Sequence, residues 1–245
     1  MAKSNRGRPE LHLNKANNFQ VVEAYKTVRT NLQFALSVSE RKVVLVSSAE
    51  PDAGKSTTTS NLAVAVAQTG ARVLVIDGDM RKPTQHKIFR LSNNRGLSHV
   101  LSSLCGWEEA LHVGVLTNVD VLCAGLIPPN PSELLGSQGM VTLLQQMSER
   151  YDYIFIDTPP VCVVSDALTL VDQAAGVVLV ACQRQTTYDM LEKAVQSVRQ
   201  MEGTVLGIVI TNVRVREKLT GGRYGGAYAA YVSDDRRGDP DGTAS

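Results

Sequence analysis

The stretch Ala49-Glu-Pro-Asp-Ala-Gly-Lys-Ser56 constrains this chain more than any other part of it. It follows an apolar run of strand length and opens a helical segment. It fits the pattern G-x-x-x-x-G-K-[ST], with Ala49 in place of the first glycine. Such a loop surrounds phosphate oxygens with backbone N–H groups and a helix N-terminus, both of which carry partial positive charge. Gly54 allows the close backbone approach, Lys55 reaches the β- and γ-phosphates, and the Ser56 hydroxyl binds Mg2+. Asp52, Ala53 and Thr57 complete the cradle. The expected ligands are ATP and magnesium. A strand, a loop and a helix in this order require a sheet, which the rest of the chain has to supply.

Strand-length apolar runs occur at Lys42–Ser47, Arg72–Asp77, Val119–Cys123, Tyr153–Asp157, Val177–Cys182 and Leu206–Thr211. Helical patterns fall at Phe19–Leu36, Ser56–Thr69, Trp107–Val113, Ser137–Arg150, Asp166–Gln173 and Thr187–Met201. The runs VLVID, YIFID and VVLVA are apolar throughout, as strands covered on both faces are. This alternation predicts an α/β fold of P-loop NTPase type, a mostly parallel sheet with helices on both faces. Residues 1–18 read as a flexible arm, 19–217 as the P-loop domain and 218–245 as a disordered, tyrosine-containing tail.

Two more strand ends carry acidic residues. VLVIDGDM places Asp77 at the end of one strand with Asp79 just beyond, and YIFIDTPP ends another at Asp157. Ligands of open parallel sheets bind beyond the carboxyl ends of the strands, where these carboxylates meet the phosphate loop. An aspartate after an apolar strand orients magnesium or its water, which suits Asp157. Asp77 or Asp79 is then free to accept a proton from a hydroxyl or from water. Asp166 reads as a helix cap.

Composition narrows the classes. Aromatic residues make up 5% of the chain, so the core should be aliphatic. A net charge of +1 gives no electrostatic reason to expect a nucleic acid partner. Lys3, Arg6, Arg8 and Lys15 form a basic N-terminal arm. Cys105, Cys123, Cys162 and Cys182 lack metal-ligand spacing and fit a reducing compartment, with Cys162 and Cys182 read as small core residues. No apolar run has the length of a membrane span and no signal peptide is evident, so a cytoplasmic location is expected.

Together VIDGDMRKP, PPNPSELL at Pro128–Leu135, YDYIFIDTPP and the tyrosine-rich tail resemble the bacterial tyrosine kinases. These are autophosphorylating P-loop kinases that regulate capsule and exopolysaccharide synthesis. The resemblance runs from about Val21 to the tail. It implies that Asp77 is the base that deprotonates tyrosine and that Asp79 helps hold magnesium; Arg81 and Lys82 follow directly, with contact to phosphate and a solvated or structural role both open. It implies that Tyr224, Tyr228 and Tyr231 are the phosphoacceptors. Glu23, Lys26 and Arg29 resemble the family's E-x-x-R-x-x-R motif, with Lys in the middle position, and imply subunits packed into a ring. Asn212 stands where related ATPases contact adenine. The implied partners are a membrane-anchored polysaccharide co-polymerase activator, which brings the chain to the inner face of the membrane, and a cognate tyrosine phosphatase. The N-terminal MAKSNRGRPE favours a free-standing kinase over a half fused to its activator. The competing reading is a ParA/MinD-like positioning ATPase without protein phosphotransfer. Against it, Ser48-Ala-Glu-Pro lacks the signature lysine of that group.

Overall fold

The computed structural model describes residues 11, 19–37, 39 and 42–213. A compact unit ends at Thr211, and of the following unit, Asn212–Ser245, only Asn212 and Val213 are described. The expected arm 1–18 (Leu11 apart) and the tail from 218 onward lie outside the described residues.

Among the described residues, seven strands build one sheet. They are β1 (Val43–Ser48), β2 (Val73–Asp77), β3 (Leu111–Leu116), β4 (Val119–Leu122), β5 (Tyr153–Asp157), β6 (Gly176–Cys182) and β7 (Val205–Thr211), in the order β3-β4-β2-β5-β1-β6-β7. Every pairing is parallel except β3 with β4. The helices are α1 (Phe19–Ala35), α2 (Lys55–Ala67), α3 (Gln85–Phe89), α4 (Leu97–Leu101), α5 (Trp107–Ala110), α6 (Pro131–Leu135), α7 (Gln138–Ser148) and α8 (Tyr188–Gln200).

Side chains alternate across a strand, so each central strand feeds two cores. Leu45, Leu74, Ile76, Ile154, Ile156 and Leu179 pack with Met140, Leu143 and Leu144 of α7 and Ala194 and Val198 of α8. Val44, Val46, Val75, Phe155 and Val178 pack on the other face with Leu62, Val66 and Leu32. The core is aliphatic as expected: Phe155 is the one aromatic among its largest fully buried side chains.

Three local readings are corrected. The segment expected as one helix over Trp107–Val113 stops after one turn at Ala110 and turns into β3. β3 is a half-exposed edge strand whose pairing with β4 shifts register between His112 and Leu116, so its pattern is not that of a buried strand. Leu168–Gln173 is a 3-10 helix rather than an α-helix. Cys162 follows the two prolines after β5 and is exposed, so it is not a core residue, whereas Cys182 is buried.

Candidate active site

The phosphate loop links β1 to α2. Gly54 adopts φ 96° as the cap of α2, and Asp52 adopts φ 62° in the turn before it. The left-handed conformation at Gly54 suits glycine, and a Cβ there would also stand 3.3 Å from Thr211 Cγ2. Neighbouring strands fix the shape of the loop. Thr211 Oγ1, at the end of β7, donates to the Ala53 carbonyl (2.7 Å), and Gln185 Nε2 donates to that of Pro51 (3.1 Å). Thr186 Oγ1 donates to the Glu50 carboxylate (2.6 Å). Lys55 is buried at the start of α2, and Ser56 and Thr57 are half-buried beside it.

Asp77 and Asp157 end neighbouring strands and are register partners. Gly78 brings the chain after β2 against β5, where its N–H donates to the Asp157 carbonyl (2.8 Å). Asp77 Oδ2 accepts from the N–H groups of Thr84 and Gln85, both at 2.9 Å. Asp157 Oδ2 accepts from Gln85 Nε2 at 2.8 Å. The other oxygen of each, Oδ1, is buried with no hydrogen-bond partner. Burial holds the Asp77 carboxyl well above the usual carboxylate range, and the charges of Asp157 and Asp79 add to this against the two backbone N–H groups. Burial also pushes Asp157 up to about 6, opposed by Lys55, the Ser56 hydroxyl and the Gln85 amide. Asp79 is buried too, and its Oδ1 accepts from the Lys82 N–H (2.9 Å).

A buried carboxylate oxygen without a donor is costly unless a cation or water meets it. Two such oxygens, on Asp77 and Asp157 beside the phosphate loop, fit a magnesium site in which Ser56 and Asp157 would be the protein donors with Asp79 nearby. Among the described residues no group of three or more His, Cys, Asp and Glu side chains could hold a metal by itself. Magnesium in nucleotide sites takes only one or two carboxylates and shares the rest of its shell with phosphates and water.

Sequence reasoning missed Gln85, which is fully buried and touches three parts of the site. Besides Asp157, its amide donates to the Ser56 carbonyl (3.2 Å) and accepts from Ser60 Oγ (2.7 Å). Nothing in its sequence context marks it, since its side-chain partners lie 25 to 72 residues away. Asp166 also differs from its reading as a helix cap: its carboxylate takes Arg81 Nε at 2.8 Å and Nη2 at 3.0 Å, and accepts from Ser132 Oγ. Arg81 is therefore committed to an ion pair, one that joins the segment after Asp79 to Ser132 of PPNPSELL.

The remaining expected residues are dispersed. Glu23 and Lys26 form an exposed pair at 2.7 Å on α1, while Arg29 Nη1 turns inward to the Ala65 carbonyl of α2 (3.0 Å). Asn212 directly follows β7 with φ 56°. Tyr224, Tyr228 and Tyr231 lie outside the described residues. No helix among the described residues is long and apolar enough to cross a membrane.

A mostly parallel sheet with a phosphate loop at β1 and aspartates closing β2 and β5 defines a P-loop NTPase. Residues 39–218 match the ParA family model described as the NUBPL iron-transfer P-loop NTPase. The chain belongs to the bacterial tyrosine-protein kinases, a family with this fold. It is 40% identical over 203 residues to tyrosine-protein kinase YwqD of Bacillus subtilis, covering 83% of this chain and 86% of that one. It is 35% identical over 215 residues to the putative tyrosine-protein kinase CapB of Staphylococcus aureus, covering 88% and 94%. The crystal structure of the chimerical protein CapA2B2 matches with a TM-score of 0.78 at 37% identity, over 82% of this chain and 88% of that one.

Proposed function

We propose that this chain transfers the γ-phosphoryl group of ATP to tyrosine hydroxyls on neighbouring copies of itself, with Tyr224, Tyr228 and Tyr231 as acceptors. The observation that carries this reading is the pairing of Asp77 with Asp157 beside the phosphate loop, each with one buried oxygen lacking a partner. Phosphoryl transfer asks a protein mainly to position reactants and balance charge, and this arrangement suits that task. The tyrosine oxygen attacks the γ-phosphorus, the bond to the bridging oxygen breaks, and ADP keeps the electron pair. The hydroxyl proton passes to a carboxylate. Asp77, whose proton affinity is raised, suits that role, with Asp79 beside it. Lys55 faces the β- and γ-phosphates, the Asp52–Thr57 backbone cradles them, and Asn212 borders the adenine. Ser56, Asp79 and Asp157 would hold Mg2+, which when bound neutralises charge on the transferring group.

The wider reading is regulatory. Each phosphate adds roughly 1.5 to 2 negative charges, and several on one tail push ring-packed subunits apart. A membrane-anchored polysaccharide co-polymerase serves as activator and holds the kinase at the inner face of the membrane, and a tyrosine phosphatase reverses the modification. The output is control of exopolysaccharide or capsule synthesis and export. The chimeric make-up of CapA2B2 supports a second protein working with such kinases.

Intact-mass spectrometry after incubation with Mg·ATP and the activator's cytoplasmic fragment tests the proposal. Mass steps of one phosphate mapping to Tyr224, Tyr228 or Tyr231 are expected. ATP turnover with no added mass would replace the kinase reading with a positioning ATPase.

A further inference from the structure

We propose that Gln85 is a positioning residue for the magnesium site, a bracket that aims the free oxygen of Asp157 and fixes Ser56 against it. The inference rests on the magnesium reading given above. Three observations carry it. Gln85 has no exposed surface, so its amide answers to protein groups alone. Its Nε2 donates to Asp157 Oδ2 (2.8 Å) and to the Ser56 carbonyl (3.2 Å), which joins the two residues that supply metal donors. Its Oε1 lies 2.7 Å from Ser60 Oγ, a hydroxyl shared with the Ser56 carbonyl (2.7 Å), and the two acceptors, Asp157 Oδ2 and the Ser56 carbonyl, fix which end of the amide faces Asp157.

The consequence for Asp157 is directional. With Oδ2 occupied by the amide, the carboxylate is held in one rotation, and Oδ1 is left buried without a partner. The same residue caps Asp77 through its backbone N–H (2.9 Å), and Asp77 Oδ1 is likewise left over. One residue thus satisfies one oxygen on each of two neighbouring carboxylates and leaves the other oxygen of each for a cation or its water. Second-layer hydrogen bonds of this kind orient metal ligands and set metal affinity.

The test reads binding rather than phosphotransfer, so a chain that phosphorylates no tyrosine still decides it. The affinity of a fluorescent ADP analogue is measured in Mg2+ and in EDTA for the wild type, Gln85→Met and Ser60→Ala, with thermal melts of the free proteins. Met keeps the length of the side chain and removes all three of its hydrogen bonds. The expected result is that Gln85→Met loses about tenfold of the magnesium-dependent gain while its affinity in EDTA stays within about twofold of wild type. Ser60→Ala shifts the gain in the same direction by less. A merely structural role lowers the melting temperature or both affinities together and leaves their ratio unchanged. That result overturns the proposal, whether seen in folded Gln85→Met or, if that variant does not fold, in Ser60→Ala. A wild type that binds equally well in the two buffers overturns the magnesium assignment and the bracket with it.

Discussion

Asp77 and Asp157 are register partners on adjacent parallel strands, and a buried oxygen on each lacks a hydrogen-bond donor. Burial is the larger cause of the raised proton affinity of both; the charge of Asp157 adds to it at Asp77, and that of Asp79 adds to it at both. Such an arrangement opposes folding of the free chain and is useful only when something positive is bound.

The stability of the metal-free protein should therefore rise when one of these charges is removed. Both folded proton affinities lie above those of the unfolded chain, so the contribution to stability is present at low pH and lost as pH rises through the folded value. For Asp157 that value is about 6. In EDTA at pH 8, Asp157→Asn should melt about 2–6 °C above wild type. The difference should shrink as pH falls below about 6. A variant that melts lower at pH 8 would count against the buried-charge account.

Gly78 sets the spacing of the two carboxylates. A Cβ there would lie 2.9 Å from both the Asp157 carbonyl oxygen and Ile156 Cγ2, closer than real contacts allow. Gly78→Ala should push the segment after β2 away from β5 at a cost of about 1–3 kcal/mol. Phosphorylation in the mass assay should drop with the fold retained in circular dichroism.

The ion pair of Arg81 with Asp166 has the opposite pH sign to the paired aspartates. Hydrogen bonds from Arg81 and Ser132 outweigh burial and hold the Asp166 carboxyl below its ordinary value. Its contribution is present above the ordinary aspartate range and lost as pH falls through the folded value. Arg81→Met leaves a buried charge with only Ser132 to meet it. Because Arg81 is itself half-exposed, the cost is nearer 1–2 kcal/mol, about half or less of that for a fully buried pair. Urea unfolding at pH 7 and in the acid range checks both the magnitude and its disappearance.

Lys55→Met should abolish phosphorylation, and replacing Tyr224, Tyr228 and Tyr231 together with Phe should remove most of it while nucleotide binding persists. Activity surviving the first change would remove the phosphate-loop assignment, and label on other tyrosines after the second would remove the tail's acceptor role.

Assembly is tested more cleanly at Glu23 than at Arg29. Arg29 bonds to α2 within its own chain, so changing it mixes folding with association. Glu23→Ala should lower the oligomer mass measured by light scattering, and an unchanged mass would reduce this face of α1 to a solvated surface.

The central sheet was legible because strands buried on both faces leave unbroken apolar runs, and the expected strand ends at Asp77 and Asp157 are the observed ones. β3 was not, since an edge strand with exposed Val113 and Gly114 carries no such run. Lys55, Ser56 and the aspartates announced themselves by local pattern. Gln85, Thr211 and the Arg81–Asp166 pair did not, because each acts through a contact dozens of residues away that only the fold creates.

The commitment of Arg81 to Asp166 also bears on which form of nucleotide the proposed site would favour. With that guanidinium engaged, the buried charged side chains of the phosphate loop and the strand ends beside it are, among the described residues, Lys55 against Glu50, Asp77, Asp79 and Asp157. Bare triphosphate would meet this acidic set with Lys55 as its buried counter-charge, whereas the magnesium complex would carry its own neutralising charge. On the proposed reading, metal and nucleotide should enter as one species, and magnesium depletion should lower phosphorylation even when triphosphate is abundant.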